Sequence, residues 1–542
     1  MRKKFICVLA IVFLLPLFCI AASEQSVASD ATESSQLTLS SNQKAPLNFQ
    51  LGNEVLMSKY HHLIAGKRVG LVTNQSGVNS QGVSTIEVLA NDPSVQLTAL
   101  YGPEHGIDGQ ASAGAYVESY VHPQLGIPVY SLYGQTRMPN AEMLANIDVL
   151  VYDIQDIGAR TYTYISTLNY CQQAAQKYGK TLIVLDRPNP VGGEVVDGWV
   201  LEEPFETFVG VDVLPTAHGM TVGELALYFN REIGADVQVV PMEGYTRQMI
   251  YQDTGLPWVA TSPNIPDIQS VFGYMATGLG EGTGIYQADK FKWIGGKGLD
   301  AAKFASLLNK AGLSGVTFVP EYQGSAGGVR LQVTDYHSFN PAKTGLYALT
   351  YAQSLNNFKV PKSGKTMVMF DKIMGTDKIG IYLEQGLSPQ QIETKMLPRL
   401  HSFKAERAKY LIYANQPNRI IAVYVEGERV VFDVDPFIDA NNRVIVPLRA
   451  IGEALGAEID WDESTRVAKF NKEGREVLFV IDNQEALVNR EVKSMDTCPV
   501  IKNGRTMLPL RYVGEFLGAK VDWDDTTSTV QITEKTEANG HE

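Results

Sequence analysis

Cysteine is scarce in this chain, with four in 542 residues. Cys7 and Cys19 lie near the N-terminus, and only Cys171 and Cys498 remain in the rest of the sequence. So few thiols exclude a disulfide framework. The cysteines and the eight scattered histidines match no zinc-binding spacing. We therefore expect no obligatory metal.

Blocks of basic residues are absent beyond the extreme N-terminus, and the formal net charge is −13. Nucleic acids and anionic membrane surfaces are therefore poor candidate partners. The Gly-x-Gly-x-x-Gly fingerprint does not follow the first predicted strand, which argues against a bound dinucleotide. A Gly-x-Ser-x-Gly elbow is also missing, which argues against a serine hydrolase. We expect no cofactor.

Long apolar runs are missing apart from residues 5–15, which follow the basic Arg2, Lys3 and Lys4. Together with the small residues at 21–23, this pattern predicts a secretory signal peptide over residues 1–23. The run is shorter than a comfortable membrane span, and lipidation of Cys19 stays open. Residues 24–48, rich in Ser, Ala and Thr, are expected to be a flexible linker. We expect a secreted protein.

Short runs of Val, Ile and Leu alternate with amphipathic stretches in the first half of the chain. Strands are predicted at residues 67–72, 95–101, 148–152 and 181–185, with a helix at residues 169–177. Such alternation implies parallel strands with helices on both faces. The predicted fold class is therefore α/β: a Rossmann-like, doubly wound parallel sheet over residues 49–235. A smaller α/β subdomain over residues 236–415 is expected to close a cleft on it.

Polar side chains follow each of the four predicted strands directly. The clusters contain Asn74, Glu104, His105, Asp153, Gln155, Asp156, Arg160, Tyr162, Tyr164, Arg187 and Asn189. Because the carboxyl ends of parallel strands share one edge of a sheet, and ligands bind at that edge, these clusters predict a single site.

The C-terminal part contains an internal repeat, in which residues 446–462 recur as residues 508–524 with a period of 62 residues. Each unit is predicted to contain a strand, a short helix opened by Pro-Leu-Arg, and a strand through Trp461 or Trp523. Repeats of this kind stack to share a core. We predict a non-catalytic, two-repeat α+β module over residues 420–534.

Several longer phrases resemble the exo-acting β-N-acetylmuramidase family. They include Gly-Pro-Glu-His-Gly at 102–106, Asp-Ile-Gln-Asp-Ile-Gly-Ala-Arg at 153–160, Asp-Arg-Pro-Asn-Pro at 186–190, His-Gly-Met-Thr at 218–221 and Ser-Pro-Asn-Ile-Pro at 262–266. The resemblance spans roughly residues 50–413. It implies an enzyme that removes terminal N-acetylmuramic acid from peptidoglycan fragments, with a cleft between a Rossmann-like domain and a smaller α/β domain.

The resemblance also suggests roles for the strand-end residues. Glycoside hydrolysis normally needs a proton donor and a second carboxylate. We expect Glu104 to be the acid, and the candidates for the second carboxylate are Asp153, Asp156 and Glu281. His105 and His218 are expected to orient the acid or the substrate.

Arginine, asparagine and aromatic side chains suit the sugar itself. Guanidinium groups bind carboxylates in a bidentate fashion, so Arg160 and Arg187 suit the lactyl carboxylate of muramic acid. The remaining expected contacts to the sugar come from Asn74, Gln155, Tyr162, Tyr164, Asn189, His218 and Asn264.

One segment departs from the family pattern. The family continues Glu-Gly-Thr-Asn into a Ser/Gly/Arg-rich run, whereas here Glu281-Gly-Thr-Gly284 is followed by a different sequence to Trp293. Three alternatives therefore stay open: a muropeptide-binding wall protein, an amidase or esterase on the same scaffold, and an adhesive wall protein. The C-terminal repeats resemble the N-terminal domain of copper amine oxidase. They contain no histidine, so we expect no copper there and only a role in contacting the cell wall.

Overall fold

The structure is a computed structural model that describes residues 49–414, 421–434, 436–439, 443–502, 505–524 and 529–534. The predicted signal peptide, the predicted linker and Cys19 lie outside these residues.

The first sheet of the protein contains the four predicted strands, whose ends carry the polar residues identified above. Its strands are β1 (Arg68–Thr73), β2 (Gln96–Gly102), β3 (Tyr120–Val121), β4 (Pro128–Ser131), β5 (Val149–Asp153), β6 (Thr181–Leu185) and β7 (Val237–Val240). The strand order is β3-β4-β2-β1-β5-β6-β7, and all neighbours are parallel except β3 and β4. This confirms the predicted doubly wound sheet. The order reverses between β1 and β5, where a ligand crevice is expected.

Helices cover both faces of this sheet because alternate strand residues face opposite sides. They are α1 (Gly52–Lys59), α2 (Thr85–Ala90), α3 (Tyr164–Tyr178) and α4 (Val222–Ile233). Val149 and Val151 pack with residues of α1 and α2, whereas Leu150 and Tyr152 pack with residues of α3 and α4. The sheet also continues past residue 235, where we expected the first domain to end, because β7 pairs with β6.

The smaller α/β subdomain follows with an antiparallel sheet. Its elements are α5 (Ile268–Thr277), β8 (Ile285–Ala288), β9 (Trp293–Lys297), α6 (Ala301–Asn309), β10 (Val316–Gln323), β11 (Ala326–Val333), α7 (Pro341–Asn356), α8 (Met369–Met374), α9 (Lys378–Glu384) and α10 (Pro389–Arg407). The strand order is β10-β11-β9-β8. Helices α5 and α7 pack on each other, and the subdomain shares one continuous apolar core with the α3–α4 face of the first sheet.

The C-terminal module has its own apolar core. Its elements are β12 (Ala422–Val425), β13 (Glu428–Arg429), β14 (Phe437–Ile438), β15 (Val444–Pro447), α11 (Leu448–Ala454), β16 (Glu458–Asp462), β17 (Val467–Lys472), β18 (Arg475–Val480), β19 (Glu485–Val488), β20 (Glu491–Ser494), β21 (Val500–Lys502), β22 (Arg505–Pro509), α12 (Leu510–Phe516), β23 (Ala519–Asp524) and β24 (Thr529–Glu534). The predicted strand–helix–strand unit is present twice, and the two copies meet where β15 pairs antiparallel with β22, with Val446 opposite Leu508. Over the described ranges, no helix combines the length and apolar character needed to cross a membrane.

Candidate active site

The carboxylate of Glu104 is held in the loop that leaves β2. Its Oε1 accepts a hydrogen bond from the Gly114 amide at 2.8 Å, and its Oε2 accepts one from the Thr163 hydroxyl at 2.5 Å. The loop can turn back on itself because His105 and Gly106 both have positive φ angles, of 72° and 79°. Glu104 is 8% exposed. The carboxylate is therefore buried and fixed in position by two donors.

Tyr133, in the loop after β4, lies beside Glu104. Burial raises the pKa of Tyr133, the neighbouring Glu104 raises it further, and the nearby Arg137 opposes the shift. The phenol therefore stays protonated at neutral pH and presents a hydroxyl donor close to the carboxylate.

Tyr274, on α5 of the smaller subdomain, contacts the loop after β5. Its hydroxyl lies 3.3 Å from both the hydroxyl and the carbonyl oxygen of Thr161. Burial raises the pKa of Tyr274 to about 12, with further contributions from the charges of Glu104 and Asp156. Both carboxylates thus raise the pKa of the same phenol.

Asp156 and His218 face each other inside the protein. The Oδ2 atom of Asp156 accepts a hydrogen bond from the Gly158 amide at 2.7 Å and lies 3.7 Å from Nε2 of His218. Nδ1 of His218 accepts a hydrogen bond from the Met220 amide, so the ring proton of the neutral form sits on Nε2. Within the described part of the chain, Oδ1 of Asp156 and Nε2 of His218 are buried without a hydrogen-bond partner.

Asn74 and Gln155, at the neighbouring strand ends, each have a further buried polar atom without a hydrogen-bond partner among the described residues. Oδ1 of Asn74 accepts hydrogen bonds from the amide and hydroxyl of Ser76, and the Ser76 hydroxyl accepts one from the Gln155 amide. Nδ2 of Asn74 and Oε1 of Gln155 have no partner among the described residues. Buried polar atoms are normally hydrogen-bonded, because leaving them unpaired costs free energy. This cluster of free donors and acceptors indicates a site for a polar ligand.

Asn189 supports this cluster from β6. Its Nδ2 donates to the Met220 carbonyl and its Oδ1 accepts from the Val191 amide, so both ends of the side chain are used within the protein. Asn189 therefore positions the segment that carries His218, and the sugar contact expected of it stays a prediction.

Asp153 and Arg187 have a different role from the one expected. Arg187 donates from Nε and Nη2 to the two carboxylate oxygens of Asp153, at 2.5 and 2.9 Å. The hydroxyl of Thr85 and the amide of Asn53 also donate to Asp153, at 2.5 and 3.4 Å. The side chains of Arg187 and Asp153 are 4% and 0% exposed. Because each charge is already neutralised by the other, the pair holds strand ends together instead of meeting substrate.

Arg160 has no hydrogen-bond partner for Nε and Nη1 among the described residues, so its expected contact to the lactyl carboxylate stays a prediction. It is fully buried, and its Nη2 donates to the Ile373 carbonyl at 2.7 Å. Burial lowers its pKa to about 10. A Cβ added at Gly375 would lie only 2.1 Å from Nη1 of Arg160. Arg160 therefore fixes the loop after β5 against the smaller subdomain.

Tyr162 and Tyr164 are buried, and neither offers the ring face to a sugar that we expected. The Tyr162 hydroxyl donates to the Thr261 hydroxyl at 2.8 Å, and the Tyr164 hydroxyl donates to the Thr261 carbonyl. The two rings pack edge to face with centroids 4.9 Å apart. Both tyrosines anchor the loop that contains residues 258–265.

Three other expected residues stand apart from the carboxylates. Nδ1 of His105 contacts the Ala111 carbonyl at 2.6 Å, and the ring lines a separate cavity of about 410 Å³ together with Asp108 and Tyr116. Asn264 and Glu281 are exposed. Within the described ranges, the structure gives none of the three side chains a contact with Glu104 or Asp156.

The segment that departs from the family pattern forms a hairpin of β8 and β9. Its turn places Asp289, Lys290 and Phe291 at φ angles of 49°, 54° and 67°, which is rare for residues other than glycine. The Phe291 ring packs on Tyr274 with centroids 5.0 Å apart. The altered segment therefore packs against Tyr274, whose pKa both Glu104 and Asp156 raise.

Sequence reasoning missed the three residues that surround Glu104, namely Tyr133, Thr163 and Tyr274. Thr163 alone had a local signal, since it stands between the two tyrosines already singled out. Among the described residues, no three His, Cys, Asp or Glu side chains come together as metal ligands would.

Comparison with known proteins assigns the first part of the chain to a family. The family model of the N-terminal part of exo-β-N-acetylmuramidase NamZ matches residues 69–269, and that of its C-terminal part matches residues 272–413. The peptidoglycan β-N-acetylmuramidase NamZ of Bacillus subtilis (strain 168) is 42% identical over 381 residues, which are 67% of this chain and 91% of that protein. The chain belongs to the exo-β-N-acetylmuramidase NamZ family.

Two crystal structures from Bacteroides fragilis share the fold of the NamZ-like part. Both are of DUF1343 family proteins. One is 35% identical, with a TM-score of 0.61, covering 68% of this chain and 99% of that chain. The other is 26% identical, with a TM-score of 0.52, covering 68% and 100%.

The C-terminal module has separate relatives. The family model of the copper amine oxidase N-terminal domain matches residues 424–532. A protease inhibitor of Brevibacillus choshinensis is 28% identical over 120 residues, which are 21% of this chain and 35% of that protein.

Proposed function

We propose that the protein is an exo-acting glycoside hydrolase that releases terminal N-acetylmuramic acid from peptidoglycan fragments during cell-wall turnover. The observation that carries this proposal is a group of buried polar atoms without hydrogen-bond partners among the described residues, on Asn74, Gln155, Asp156 and His218, at the sheet edge where Glu104 also lies. Membership of the NamZ family and the 42% identity to the Bacillus subtilis enzyme support the substrate class.

Glu104 is the proposed proton donor to the leaving oxygen. Its carboxyl group is held by Thr163 and Gly114, so it does not need to reorganise when the glycosidic bond breaks.

Asp156 is the proposed second carboxylate. Asp153 is neutralised by Arg187, and Glu281 is exposed, whereas Oδ1 of Asp156 is buried and free. His218 lies 3.7 Å away and orients this carboxylate. The free atoms of Asn74 and Gln155 are then available to the hydroxyl and acetamide groups of the sugar.

The proposal extends to where the protein works. The predicted signal peptide supports secretion, and a peptidoglycan-derived substrate supports a place at the cell wall. We assign the C-terminal repeats to contact with the wall and not to catalysis, because their core is separate from that of the NamZ-like part.

Release of 4-nitrophenol from 4-nitrophenyl N-acetylmuramide tests the proposal. Residues 24–542 are compared with their Glu104→Gln form and with Glu463→Gln, which removes an exposed carboxylate of the C-terminal module as a matched control. We expect turnover by the parent and the control, and a loss of about 10²-fold to 10⁴-fold in Glu104→Gln.

Nitrophenolate leaves readily, so a small loss in Glu104→Gln requires the same comparison on a natural disaccharide that ends in N-acetylmuramic acid. Unchanged turnover of that disaccharide would remove Glu104 as the acid. Binding of the sugar by calorimetry without any turnover would instead assign the protein as a muropeptide-binding module. If the protein showed no turnover and no sugar binding, the proposed function would be refuted altogether.

A further inference from the structure

Arg137 extends from the loop after β4 and is held between two aromatic rings. Its guanidinium carbon lies 4.6 Å from the centroid of the Tyr133 ring and 4.6 Å from that of the Phe208 ring. The side chain is exposed, and no carboxylate of the described residues lies within ion-pair distance of it. It is therefore a cation at the surface whose position is restricted by two rings.

The same guanidinium belongs to the surroundings of the proposed acid. The Leu132 amide donates to the Gly102 carbonyl at 2.8 Å, so the loop that carries Tyr133 and Arg137 leaves the sheet next to the loop that carries Glu104. The Arg137 guanidinium lies over the Tyr133 ring, and both Glu104 and Arg137 act on the pKa of this tyrosine. We expect a sugar bound at Glu104 to present its ring substituents on the side of Arg137.

Arg137 is better placed to pair with a substrate anion than the other two arginines at the site. Arg187 is neutralised by Asp153, and Arg160 is buried against the Ile373 carbonyl. Pairing Arg187 with a substrate anion would leave Asp153 unpaired, which is costly. Arg160 has no exposed surface through which a substrate could reach it. Arg137 is exposed and has no carboxylate partner among the described residues.

The chemistry of the substrate supplies the matching group. N-acetylmuramic acid differs from N-acetylglucosamine by a lactyl ether that ends in a carboxylate, and a planar guanidinium binds a carboxylate with two parallel hydrogen bonds. We propose that Arg137 binds the lactyl carboxylate and makes the enzyme select N-acetylmuramic acid over N-acetylglucosamine. This proposal rests on the proposed function. The two rings restrict the guanidinium before binding, which lowers the entropy lost on binding.

Calorimetry with free sugars tests the proposal without requiring turnover. The ligands are N-acetylmuramic acid, its carboxamide, which has nearly the same shape and no charge, and N-acetylglucosamine. The parent protein is compared with Arg137→Met, which keeps most of the length of the side chain and removes the charge. Arg449→Met, at an exposed arginine of α11, controls for the change in net charge.

We expect the parent and Arg449→Met to bind N-acetylmuramic acid about tenfold to hundredfold more tightly than its carboxamide, as for a charge-assisted hydrogen bond. Arg137→Met should bind both alike and should bind N-acetylglucosamine as the parent does. A structural role of Arg137 would weaken all three ligands equally, and that result would overturn the proposal. An unchanged preference for the acid in Arg137→Met would also overturn it.

Kinetics on 4-nitrophenyl N-acetylmuramide separates this proposal from the function on which it rests. We expect Arg137→Met to raise KM with little change in kcat, because the contact exists in the ground state as well as in the transition state. Normal KM in Arg137→Met would refute the role of Arg137 while the muramidase function stands. Failure of the parent protein to bind or cleave any N-acetylmuramic acid derivative would refute the function itself.

Discussion

Asp153 and Arg187 join the ends of two neighbouring strands, β5 and β6, through two hydrogen bonds in a position almost closed to solvent. Removing one member of a buried ion pair leaves the other charge unpaired. We therefore expect Asp153→Asn to lower the free energy of unfolding by about 3–5 kcal/mol, measured by urea denaturation. The matched control is Asp148→Asn, which breaks the exposed pair with Arg68 and should cost about 1 kcal/mol or less. Similar small losses in both variants would refute the structural role of Asp153.

Asp156→Asn should behave in the opposite way. Asparagine retains an acceptor for the Gly158 amide, so we expect stability to change little. Because the second carboxylate is lost, kcat on 4-nitrophenyl N-acetylmuramide should fall by about 10²-fold or more. Full activity in Asp156→Asn, together with a loss in Glu281→Gln, would move this role to the exposed carboxylate.

Stability should depend on pH through Asp186. Burial raises its pKa to about 7, although hydrogen bonds from Tyr413, Gly223 and Thr221 act in the other direction. In the unfolded chain the pKa of an Asp is about 3.9, so the folded state holds the proton more tightly. The resulting stabilisation is complete below about pH 4 and is lost as the pH rises to about 7.

Asp186→Asn, which cannot ionise, should therefore lose less stability than the parent between those two pH values. Thermal unfolding followed at a series of pH values measures the difference. Parallel curves for the two proteins would show that Asp186 is ionised throughout and that its hydrogen bonds outweigh its burial.

The contact between Gly375 and Arg160 can be tested with a pair of glycines. Gly375 and Gly386 have φ angles of 72° and 70°, so alanine is strained at both positions to a similar degree. A Cβ would meet Arg160 at Gly375 but nothing within 4 Å at Gly386. We expect Gly375→Ala to lower the melting temperature further than Gly386→Ala and to reduce activity as well. Equal effects would mean that Arg160 can move aside.

A chain that ends at residue 414 should keep its activity on the small substrate. The apolar core of the C-terminal module is separate, and the NamZ family models end at residue 413. We expect kcat/KM on 4-nitrophenyl N-acetylmuramide to stay within about twofold, whereas sedimentation with insoluble peptidoglycan should fall. Loss of turnover in the shortened chain would show that the module takes part in catalysis.

The sequence was sufficient to predict the sheet and the edge at which the site lies. Parallel strands place their carboxyl ends together, so Asn74, Glu104 and Asp156 had to meet at one edge. Hydrophobic runs followed by polar clusters marked those ends without ambiguity. The repeat of the C-terminal module was equally clear, because two copies of one pattern confirm each other.

The sequence could not predict which residues of the site form structural contacts and which remain available to a substrate. Asp153 and Asp156 are three residues apart, and only tertiary packing decides which of them meets Arg187. Tyr133 and Tyr274 come from a loop after β4 and from a helix of the smaller subdomain, so no local pattern connects them with Glu104. The burial of Tyr162 and Tyr164 likewise follows from their bonds to Thr261, on a distant loop.

The pairing of Val446 with Leu508 joins equivalent positions of the two repeats, so the antiparallel contact of β15 and β22 lies on an approximate two-fold axis. The C-terminal module is thus organised as a homodimer whose two subunits have been fused into one polypeptide. A two-fold contact is self-complementary, which means that both halves use the same surface patch to contact each other. One half expressed alone would leave that strand edge open, and we expect it to associate with a second copy of itself, as sedimentation equilibrium would reveal.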